Sequence, residues 1–581
     1  MENEVFSFQE FGFHGVEAKF SCSDKMVESM EEENGGKQFN FNGEEDWCPD
    51  FGFYKEDSSE EGFLLFKYQQ QEDSGSLDDQ HFDIVSPPLQ TCLEEIQKLG
   101  EFTTLIPQVV PRKEKRQPFS LASLELLNNF GNGFKRLHGD SKIEPSNDMP
   151  CAKVEEGRKL STEEVMRLAG ANFIQSSSSQ TADVSMLSHP FDSSFYGLSN
   201  EETKDVALVE FLFSSAEKVG CQQFDRASRL LSQCDDWCSN TGNPVQRVVY
   251  YFSKALREKI DRETGRITSK DLGKRLCFDV DEAMMNSDHA ILASHEGIPF
   301  SQISQFSGIQ AIVESMAEAR KIHIVDLAIR NGMQWTVLMQ ALATRYECPL
   351  ELLKITAVGT TSKHIIERTG KRLASFAETM NIAFSFKVVM VSDMLDLKEH
   401  LFGVEADERV AFYSEYFLRS MILEPKRLES IMGVVRSINP CIMVVTEVEA
   451  NHNSPAFVNR FIEALFFFSA YFDCLETFMK RNDPNRMIIE SLFFGEGIRS
   501  IVAEEGEGRK IRHVKIDVWR AFFAWFGMVD TELSMSSLDQ ARLVIKKFDC
   551  EKSCTLDMNG KCLIIGWKGT PIHSLSVWKF L

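Results

Sequence analysis

The spacing of hydrophobic residues predicts a helical segment over residues 201–320. Apolar side chains recur there at intervals of three and four residues, which is the period of an amphipathic helix. Three runs show this pattern: residues 206–219, 227–238 and 245–260. Asn243 followed by Pro244 is a typical helix start, because Asn caps free backbone amides and Pro fits the first turn. The leucines of these runs fit a hydrophobic core or a dimer seam, and a core is favoured because no heptad pattern persists.

From residue 321 onward, short apolar strands alternate with helices. Five runs are typical of buried strands: residues 322–327, 353–358, 384–390, 410–416 and 441–447. Helical periodicity fills the intervals at residues 334–346, 362–380, 425–437 and 456–478. Such alternation predicts a mostly parallel sheet with helices on both faces.

A hairpin is predicted at residues 555–567, where the chain turns at Asn559-Gly560. An antiparallel pair that closes a parallel sheet is the arrangement of Rossmann-type methyltransferases. The predicted fold class is therefore α/β and methyltransferase-like. We expect a mainly helical cap over residues 201–320 and an α/β core over residues 321–581.

Residues 1–104 show a different pattern, in which acidic and aromatic residues are interspersed without a regular period. The first 100 residues contain 24 acidic and 6 basic side chains, so this part carries −18 of the chain's net charge of −24. Like charges repel and irregular apolar residues cannot close a core, so we predict a disordered regulatory arm. Its composition favours a transcriptional activation or docking segment over a solubilising tail. The near balance of charge elsewhere argues against a chain that holds nucleic acid through bulk positive charge.

Residues 105–200 are predicted to form a linker with one short helix. That helix should begin at Ser161, since Glu163 and Glu164 occupy its first turn. The linker also contains a basic cluster: Arg112, Lys113, Lys115 and Arg116. Short basic clusters also occur by chance on protein surfaces. This one fits the acidic grooves of nuclear import receptors, and we therefore predict a nuclear protein.

Several protein classes are not expected. The N-terminus has acidic residues where a signal peptide would be basic, and the longest apolar run, residues 464–472, is far shorter than the ~20 residues of a membrane span. The 14 cysteines are scattered along the chain and should be reduced thiols. The closest pairs, Cys234/Cys238 and Cys550/Cys554, lack a second pair of ligands, so we predict no metal site.

Asp326 is the first place to look for chemistry, because doubly wound sheets bind nucleotides where the first strand meets a glycine loop. A nucleotide or S-adenosylmethionine site also needs several glycines in that loop and an acid at the end of the second strand. Here the loop contains one glycine, Gly332, and the second strand ends in residues 359–361, which are Gly-Thr-Thr. We therefore expect no cofactor and no catalytic residue, and Asp326 should cap nearby backbone amides.

Four blocks, in order, resemble the motifs of the plant GRAS family. Residues 208–260 resemble its first leucine-rich region. The VHIID motif is matched by Ile322, His323, Ile324, Val325 and Asp326. The PFYRE motif is matched by Pro455, Phe467, Phe468, Arg486 and Glu490. The SAW motif is matched by Trp519, Trp567, Ser576, Val577 and Trp578. Residues 201–581 are thereby identified as a GRAS domain.

The resemblance implies a plant nuclear regulator of transcription that acts mainly as a co-regulator or scaffold. Members of the family resemble methyltransferases in fold and contact DNA-binding transcription factors and other GRAS proteins. The arm contains neither a DELLA sequence nor the second, tyrosine-containing motif of the gibberellin-responsive branch, so direct control by the gibberellin receptor is not expected. Departures from the family pattern are modest, with Phe468 in place of a common tyrosine and Val577 in place of the SAW alanine.

Two other functions stay open at this point: sequence-specific DNA binding and, less favoured, methyl transfer. A second basic segment consists of Arg509, Lys510, Arg512, His513 and Lys515. It could contact DNA phosphates, but the acidic residues beside it favour a solvated mixed surface. We expect the C-terminal tryptophans to be core, His323 to be a satisfied strand residue, and Arg486 to pair with Glu490. The pathway, the partners, the sign of regulation and the choice between homodimer and heterodimer do not follow from the sequence.

Overall fold

The computed structural model describes residues 159–178, 198–266 and 288–581, whose centre is a nine-stranded sheet. Its strands are β1 (Lys321–Asp326), β2 (Leu352–Gly359), β3 (Phe384–Met390), β4 (Arg409–Glu415), β5 (Ile442–Val448), β6 (Met528–Asp530), β7 (Cys554–Asn559), β8 (Cys562–Trp567) and β9 (Thr570–Phe580). The first five agree with the predicted strands to within one residue at each end. Buried apolar runs between helices were therefore sufficient to locate the parallel part of the sheet.

The strands lie in the order β3-β2-β1-β4-β5-β9-β8-β7, with β6 paired to β9. β1 to β5 are parallel, and β9 runs antiparallel to β5. The chain runs outward from β1 to β3 and then returns to β4, which leaves a crevice outside the carboxyl ends of the strands. The predicted α/β fold class is confirmed.

Helices flank this sheet. They are α1 (Thr162–Ser178), α2 (Asn200–Gly220), α3 (Phe224–Asp235), α4 (Pro244–Glu263), α5 (Asp288–Gly297), α6 (Pro299–Ser315), α7 (Met333–Ala343), α8 (Lys363–Thr379), α9 (Pro425–Ile438), α10 (Phe457–Phe478), α11 (Pro484–Ile488), α12 (Glu496–Ala503), α13 (Ile516–Trp525) and α14 (Met535–Lys547). A π-helical turn, Ile489–Gly495, joins α11 to α12. Short 3₁₀ turns lie at Met394–Asp396, Glu399–Leu401, Leu418–Met421 and Gly506–Gly508.

Two helix starts predicted from local sequence form capping boxes. Asn243 accepts a hydrogen bond from the amide of Gln246, whose side chain accepts one from the amide of Asn243, both at 3.0 Å. Ser161 and Glu164 make the same reciprocal pair at the start of α1, at 2.7 and 3.3 Å. Each box satisfies amides that have no partner inside the helix, so the start is fixed by neighbours in sequence.

Helix α1 packs against the folded domain, although the sequence placed it in the linker. The hydroxyl of Thr162 donates to Asp473 at 3.0 Å, and the hydroxyl of Thr570 donates to Glu163 at 3.1 Å. Glu163 is buried, and burial raises its pKa to about 7. This part of the predicted linker is therefore integral to the fold.

The helical segment that precedes the sheet closes its own core. Leu212, Leu231 and Leu256 have no exposed surface, which confirms the core interpretation for these leucines. Phe252 of α4 joins this core to α10, where its ring lies 5.4 Å from that of Phe461. The leucine-rich helices are consequently part of one continuous packing arrangement with the long helix beside the sheet.

Strand β9 is the main element that the sequence pattern did not reveal. The predicted pair at residues 555–567 is present as β7 and β8, and β9 lies between β5 and β8. Its residue Trp578 pairs with Met443, and His573 pairs with Val448. β9 is buried along most of its length, so it lacks the alternation that marks a strand with one exposed face.

Candidate functional site

Asp326 is the last residue of β1, and both of its carboxylate oxygens accept hydrogen bonds from other groups of this chain. Its Oδ2 accepts hydrogen bonds from the indole N–H of Trp335 at 2.9 Å and from the amide of Gln334 at 3.4 Å. Its Oδ1 accepts one from the backbone N–H of Ala328 at 3.1 Å. Burial raises the pKa of this carboxyl to about 7. The predicted capping role is confirmed, with the indole as an additional partner.

The neighbouring positions that a nucleotide would occupy are used for packing. Gly332 has φ = 70°, a left-handed conformation that lets the chain turn into α7. Gly359 ends β2, and a Cβ there would lie 2.4 Å from the side chain of Ile366. Where a methyltransferase would hold ribose hydroxyls with an acid, this chain has a glycine, and the side chain of Ile366 from α8 packs against it.

His323 is a satisfied core residue, as expected. Its Nδ1 lies 2.9 Å from Glu408 Oε2 and its Nε2 lies 2.8 Å from Thr356 Oγ1. Burial lowers the pKa of the imidazole to about 4, although the carboxylate of Glu408 opposes this shift. The remaining VHIID residues, Ile322, Ile324 and Val325, are buried in β1. This motif therefore fixes the central strand.

Arg486 and Glu490 of the PFYRE block form a buried ion pair, with Nε and Oε1 2.9 Å apart. The same carboxylate lies 3.1 Å from Arg247 Nε, on α4. Glu476 completes the cluster, with its Oε2 at 3.1 Å from Arg247 and 2.7 Å from Arg486. The pair was predicted from its spacing of four residues. Arg247 was not, because it is distant in sequence.

The rest of the PFYRE block lies in two other places. Pro455 is exposed in the loop after β5, and its carbonyl accepts a hydrogen bond from Arg460 at 2.9 Å. Phe467 and Phe468 are buried on α10 and line a cavity described below. The residues of the PFYRE block therefore lie in separate places and do not form one site.

The SAW residues are structural anchors. Trp519, Trp567 and Trp578 are each 1% exposed. The indole of Trp567 donates to Asp473 Oδ2 at 2.8 Å, and that of Trp578 donates to Ser576 Oγ at 2.9 Å. Val577 is also buried, so the core expectation is met for these tryptophans. Trp525, on α13, is 40% exposed and is the exception.

Two of the five residues of the second basic segment, Arg509 and His513, are buried, and for these two the solvated-surface interpretation is wrong. Arg512 and Lys515 are half-buried. Arg509 is 4% exposed and donates to the carbonyl of His452 at 2.8 Å. Arg512 donates to Asn453 Oδ1 at 2.9 Å. The loop after β5 has polar groups that need donors, and these arginines supply them. Lys510 is exposed. The nuclear-import candidates Arg112, Lys113, Lys115 and Arg116 lie outside the described residues.

A cavity of about 170 Å³ lies at the carboxyl ends of β4 and β5. Seven of its lining residues are Phe or Tyr: Phe300, Tyr416, Phe467, Phe468, Tyr471, Phe493 and Phe494. Two arginines, Arg330 and Arg419, also line it, together with His513 and His573. The guanidinium of Arg330 lies 5.5 Å from the centre of the Tyr416 ring. This mixture of rings and a few polar groups is typical of a small-molecule site.

One hydrogen-bonded chain stiffens the wall at Arg419. Its Nη1 lies 2.7 Å from His513 Nε2, and His513 Nδ1 lies 2.8 Å from His452 Nδ1. A guanidinium can only donate, so His513 accepts at Nε2 and donates at Nδ1. Burial lowers the pKa of His452 to about 3, which keeps this chain neutral at the imidazoles.

A second series of hydrogen bonds joins three residues that line the cavity. Tyr416 Oη lies 3.0 Å from His573 Nδ1, and Tyr471 Oη lies 2.8 Å from His573 Nε2. Because a neutral imidazole has one donor and one acceptor, one tyrosine donates and the other accepts. Sequence reasoning missed these residues, which come from the position directly after β4, from α10 and from β9. The available signal was an aromatic residue directly after a predicted parallel strand, at the edge where ligands bind.

Other features of the described ranges bear on the function classes. No helix in residues 159–178, 198–266 and 288–581 is long and apolar enough to cross a membrane. Within those same ranges, no group of three Cys, His, Asp or Glu side chains is arranged to hold a metal ion. The described cysteines are free thiols.

Comparison with known proteins gives consistent matches. The chain is 30% identical to the DELLA protein RGL1 of Arabidopsis thaliana over 386 residues, which is 66% of this chain and 71% of that protein. It is 29% identical to the DELLA protein DWARF8 of Zea mays over 394 residues, 64% of this chain but 61% of the relative. The crystal structure of SCL7 from Oryza sativa matches with a TM-score of 0.56 at 26% identity, and the match covers 64% of this chain and 99% of that one.

The GRAS domain family model matches residues 208–579. This range contains the leucine-rich, VHIID, PFYRE and SAW blocks and all nine strands of the described sheet except the last residue of β9, Phe580. The family match and the DELLA relatives agree with a role in plant transcriptional regulation. The chain belongs to the GRAS domain family.

Proposed function

We propose that this protein is a plant nuclear co-regulator of transcription that assembles DNA-binding transcription factors and other GRAS proteins, without catalysing a reaction. The observation that carries the proposal is the commitment of Asp326, both of whose carboxylate oxygens already accept N–H groups of this chain. The second strand ends in Gly359 rather than in the acid with which a methyltransferase would hold its cofactor, and Ile366 packs against that glycine. A domain whose ligand edge is altered in this way is better suited to hold other proteins than to transfer a methyl group.

Burial of Arg509 and His513 in the second basic segment favours a co-regulator over a direct reader of DNA. Phosphate contacts need accessible cations, whereas Arg509 is 4% exposed and serves the loop after β5. Lys510 is exposed, and the half-buried Lys515 lies beside Glu463. Contact with DNA is therefore expected to be mostly indirect, through a bound transcription factor.

The first experiment separates direct from indirect DNA contact. The full chain is tested in a mobility shift on DNA recovered from its chromatin sites, near 0.15 M salt and with excess competitor, because phosphate contacts depend strongly on salt. We expect a shift only after nuclear extract is added. Retention by the chain alone, lost on scrambling the site and weakened by Lys510→Ala, would instead identify a direct DNA reader.

The second experiment tests the arm, whose predicted role as a regulatory segment rests on composition. Tethered to a reporter promoter, the full chain should activate, and removal of residues 1–104 should abolish activation. Replacing Phe51 and Phe53 by Ser keeps the charge and removes two aromatic residues of the arm. Activation segments need such residues, so output should fall; unchanged output in both variants would leave the arm as a solubilising tail.

Nuclear import and methyl transfer have their own tests. Replacing Arg112, Lys113, Lys115 and Arg116 by Gln should retain the protein in the cytoplasm, whereas Lys510→Gln, the control, should leave it nuclear. Calorimetry of the full chain with millimolar S-adenosylmethionine should show no binding. Saturable binding of S-adenosylmethionine would contradict this expectation and favour the methyltransferase alternative. Absence of direct control by the gibberellin receptor stays a prediction from the arm sequence.

A further inference from the structure

We propose that Cys550 and Cys554 form a redox-active pair of thiols that a hydroperoxide oxidises to a disulfide. This modification site is additional to the protein contacts of the proposed function. Both residues are free thiols, and each is 4% exposed. They lie between α14, which ends at Lys547, and β7, which begins at Cys554 and is an edge strand of the sheet. The pair therefore spans the short turn that joins a helix to the edge of the sheet.

The backbone already holds the two residues at a separation that a disulfide can span. The N–H of Cys554 donates to the carbonyl of Cys550 at 2.8 Å, which closes one turn of chain over four residues. Four residues of such a turn rise about 6 Å, and a disulfide joins residues whose Cα atoms lie about 4.4–6.8 Å apart. The side chains also meet, because the thiol of Cys554 donates a hydrogen bond to the sulfur of Cys550. Formation of an S–S bond therefore needs adjustment of this turn alone.

The hydrogen bond makes the two thiols chemically unequal. It lowers the pKa of Cys550, although burial and the nearby charges of Asp549 and Glu551 oppose this shift. The same bond, together with burial, holds the pKa of Cys554 well above its ordinary range. The attacking group in thiol oxidation is the thiolate. Cys550 is therefore the attacking residue, and Cys554 is the resolving residue that completes the disulfide.

The turn gives a small oxidant a short route to the pair. Asp549, Glu551 and Lys552 are exposed, so only a few residues separate the thiols from solvent. The turn is tied to the sheet through Ser553, whose carbonyl accepts from the amide of Lys568 at 2.6 Å. Surface turns open locally at a small fraction of the cost of global unfolding. A hydroperoxide as small as hydrogen peroxide needs only such an opening to reach Cys550.

A second pair of the same spacing provides a contrast within the chain. The N–H of Cys238 donates to the carbonyl of Cys234, also at 2.8 Å. Here burial raises the pKa of Cys234 to about 12 and that of Cys238 to about 11, so both stay protonated near neutral pH. Cys238 is nevertheless half-buried and more accessible than Cys550. Spacing and exposure alone would favour oxidation of Cys234 and Cys238, whereas the hydrogen bond between thiols favours Cys550 and Cys554.

The oxidation proceeds in two balanced steps. The Cys550 thiolate attacks one peroxide oxygen, so that an S–O bond forms, the O–O bond breaks, and the other oxygen leaves and takes up the proton that Cys550 released. The sulfur of Cys554 then attacks the resulting sulfenic acid: an S–S bond forms, the S–O bond breaks, and hydroxide leaves with the Cys554 proton as water. Two thiols thereby lose two electrons, and the hydroperoxide is reduced to an alcohol, or to water when it is hydrogen peroxide.

Hydrogen peroxide is the probe, applied near neutral pH to the fully reduced, full-length chain. Remaining thiols are blocked with N-ethylmaleimide in denaturant, and the chain is digested with trypsin for mass spectrometry. Cleavage after Lys547, Lys552 and Lys561 places the two cysteines on separate peptides, 548–552 and 553–561, which a disulfide would join. The wild-type chain alone shows which thiols are joined, so this readout does not depend on the folding of any variant.

We expect the two peptides to become joined at least ~10-fold faster than Cys234 and Cys238 are oxidised, because a difference of one pKa unit changes the thiolate fraction tenfold. Dithiothreitol should reverse the change. Cys554→Ser should accumulate a sulfenic acid at Cys550 that dimedone traps, and Cys550→Ser should leave Cys554 reduced. Cys238→Ser, the matched control from the other pair, should oxidise as wild type does. Thermal unfolding of each reduced variant checks that it is folded.

Three results would overturn the proposal. The first is a Cys550 that stays reduced while glutathione in the same solution is oxidised. The second is oxidation of the Cys234 pair as fast as that of the Cys550 pair. The third is a disulfide from Cys550 to Cys474 of α10, a buried thiol whose pKa is affected by the charge of Cys550. None of these readouts involves transcription, so they fail independently of the co-regulator role.

Discussion

Replacing Asp326 by Asn should change how the stability of the protein depends on pH. The carboxyl is buried and accepts three hydrogen bonds, two at Oδ2 and one at Oδ1. Burial raises its pKa from the ordinary 3.8 to about 7, so the folded chain binds this proton more tightly than the unfolded chain. Stability falls with rising pH wherever the native state binds more protons, so this group destabilises the fold increasingly from about pH 4 to pH 7.

The size of the effect follows from the shift. One pKa unit corresponds to about 1.4 kcal/mol, so a shift of roughly three units is worth about 4 kcal/mol over the whole range. Between about pH 5 and pH 8 the penalty on the wild-type chain grows by roughly 2.5 kcal/mol. Asn cannot ionise and avoids this penalty, but its amide nitrogen cannot accept from Trp335 or Ala328. The lost hydrogen bond should cost the variant about 1–3 kcal/mol at pH 5.

Urea unfolding at pH 5 and pH 8 measures the free energies of unfolding of both chains. The deficit of Asp326→Asn relative to wild type should shrink by roughly 2.5 kcal/mol between these two pH values. Asp236→Asn is the control, since this exposed carboxylate at the end of α3 is already hydrated. A deficit that stays constant or widens with pH would refute the assignment of Asp326 as a buried capping group whose pKa is raised by burial.

Three further predictions test other parts of the structure. Glu490→Gln should lower the free energy of unfolding by about 3 kcal/mol in urea, because two buried arginines lose a shared carboxylate; a loss near zero would contradict the buried network. The imidazole proton resonances of His452 and His573 should stay fixed in NMR spectra between about pH 5 and pH 8, since burial lowers both pKa values to about 3; titration there would show that the rings are hydrated. N-ethylmaleimide should modify the partly exposed Cys348 in the native chain and spare the buried Cys474 until denaturant is added, as mass spectrometry would show.

Local signals in the sequence located most of the sheet and several helix ends. Four of the five parallel strands, β1, β2, β4 and β5, are mostly buried, so each is a short apolar run that is visible without its neighbours. The edge strand β3 is only partly buried. The starts of α1 and α4 depend on capping boxes closed by residues three positions apart. In these cases the physical cause lies within a few residues of its effect.

Burial of charged residues was the main failure of pattern reasoning. Arg509 and Arg512 lie beside glutamates in the sequence, which indicated a solvated surface, yet they serve carbonyl and amide oxygens of a loop that ends some 50 residues earlier. Arg247 likewise meets Glu490 across the chain. Charge patterns along a sequence describe neighbours in the chain, whereas burial depends on neighbours in space.

The sequence by itself determined the α/β class, the family and the capping role of Asp326, because strand burial, caps and missing loop glycines are local properties. Only the tertiary structure decided the place of β9, the docking of α1 and the cavity at Tyr416 and His573. Those features join residues more than 100 positions apart: His573 meets Tyr416, and Thr570 meets Glu163. No local pattern encodes such contacts, since the packing that brings the groups together forms only when the sheet closes.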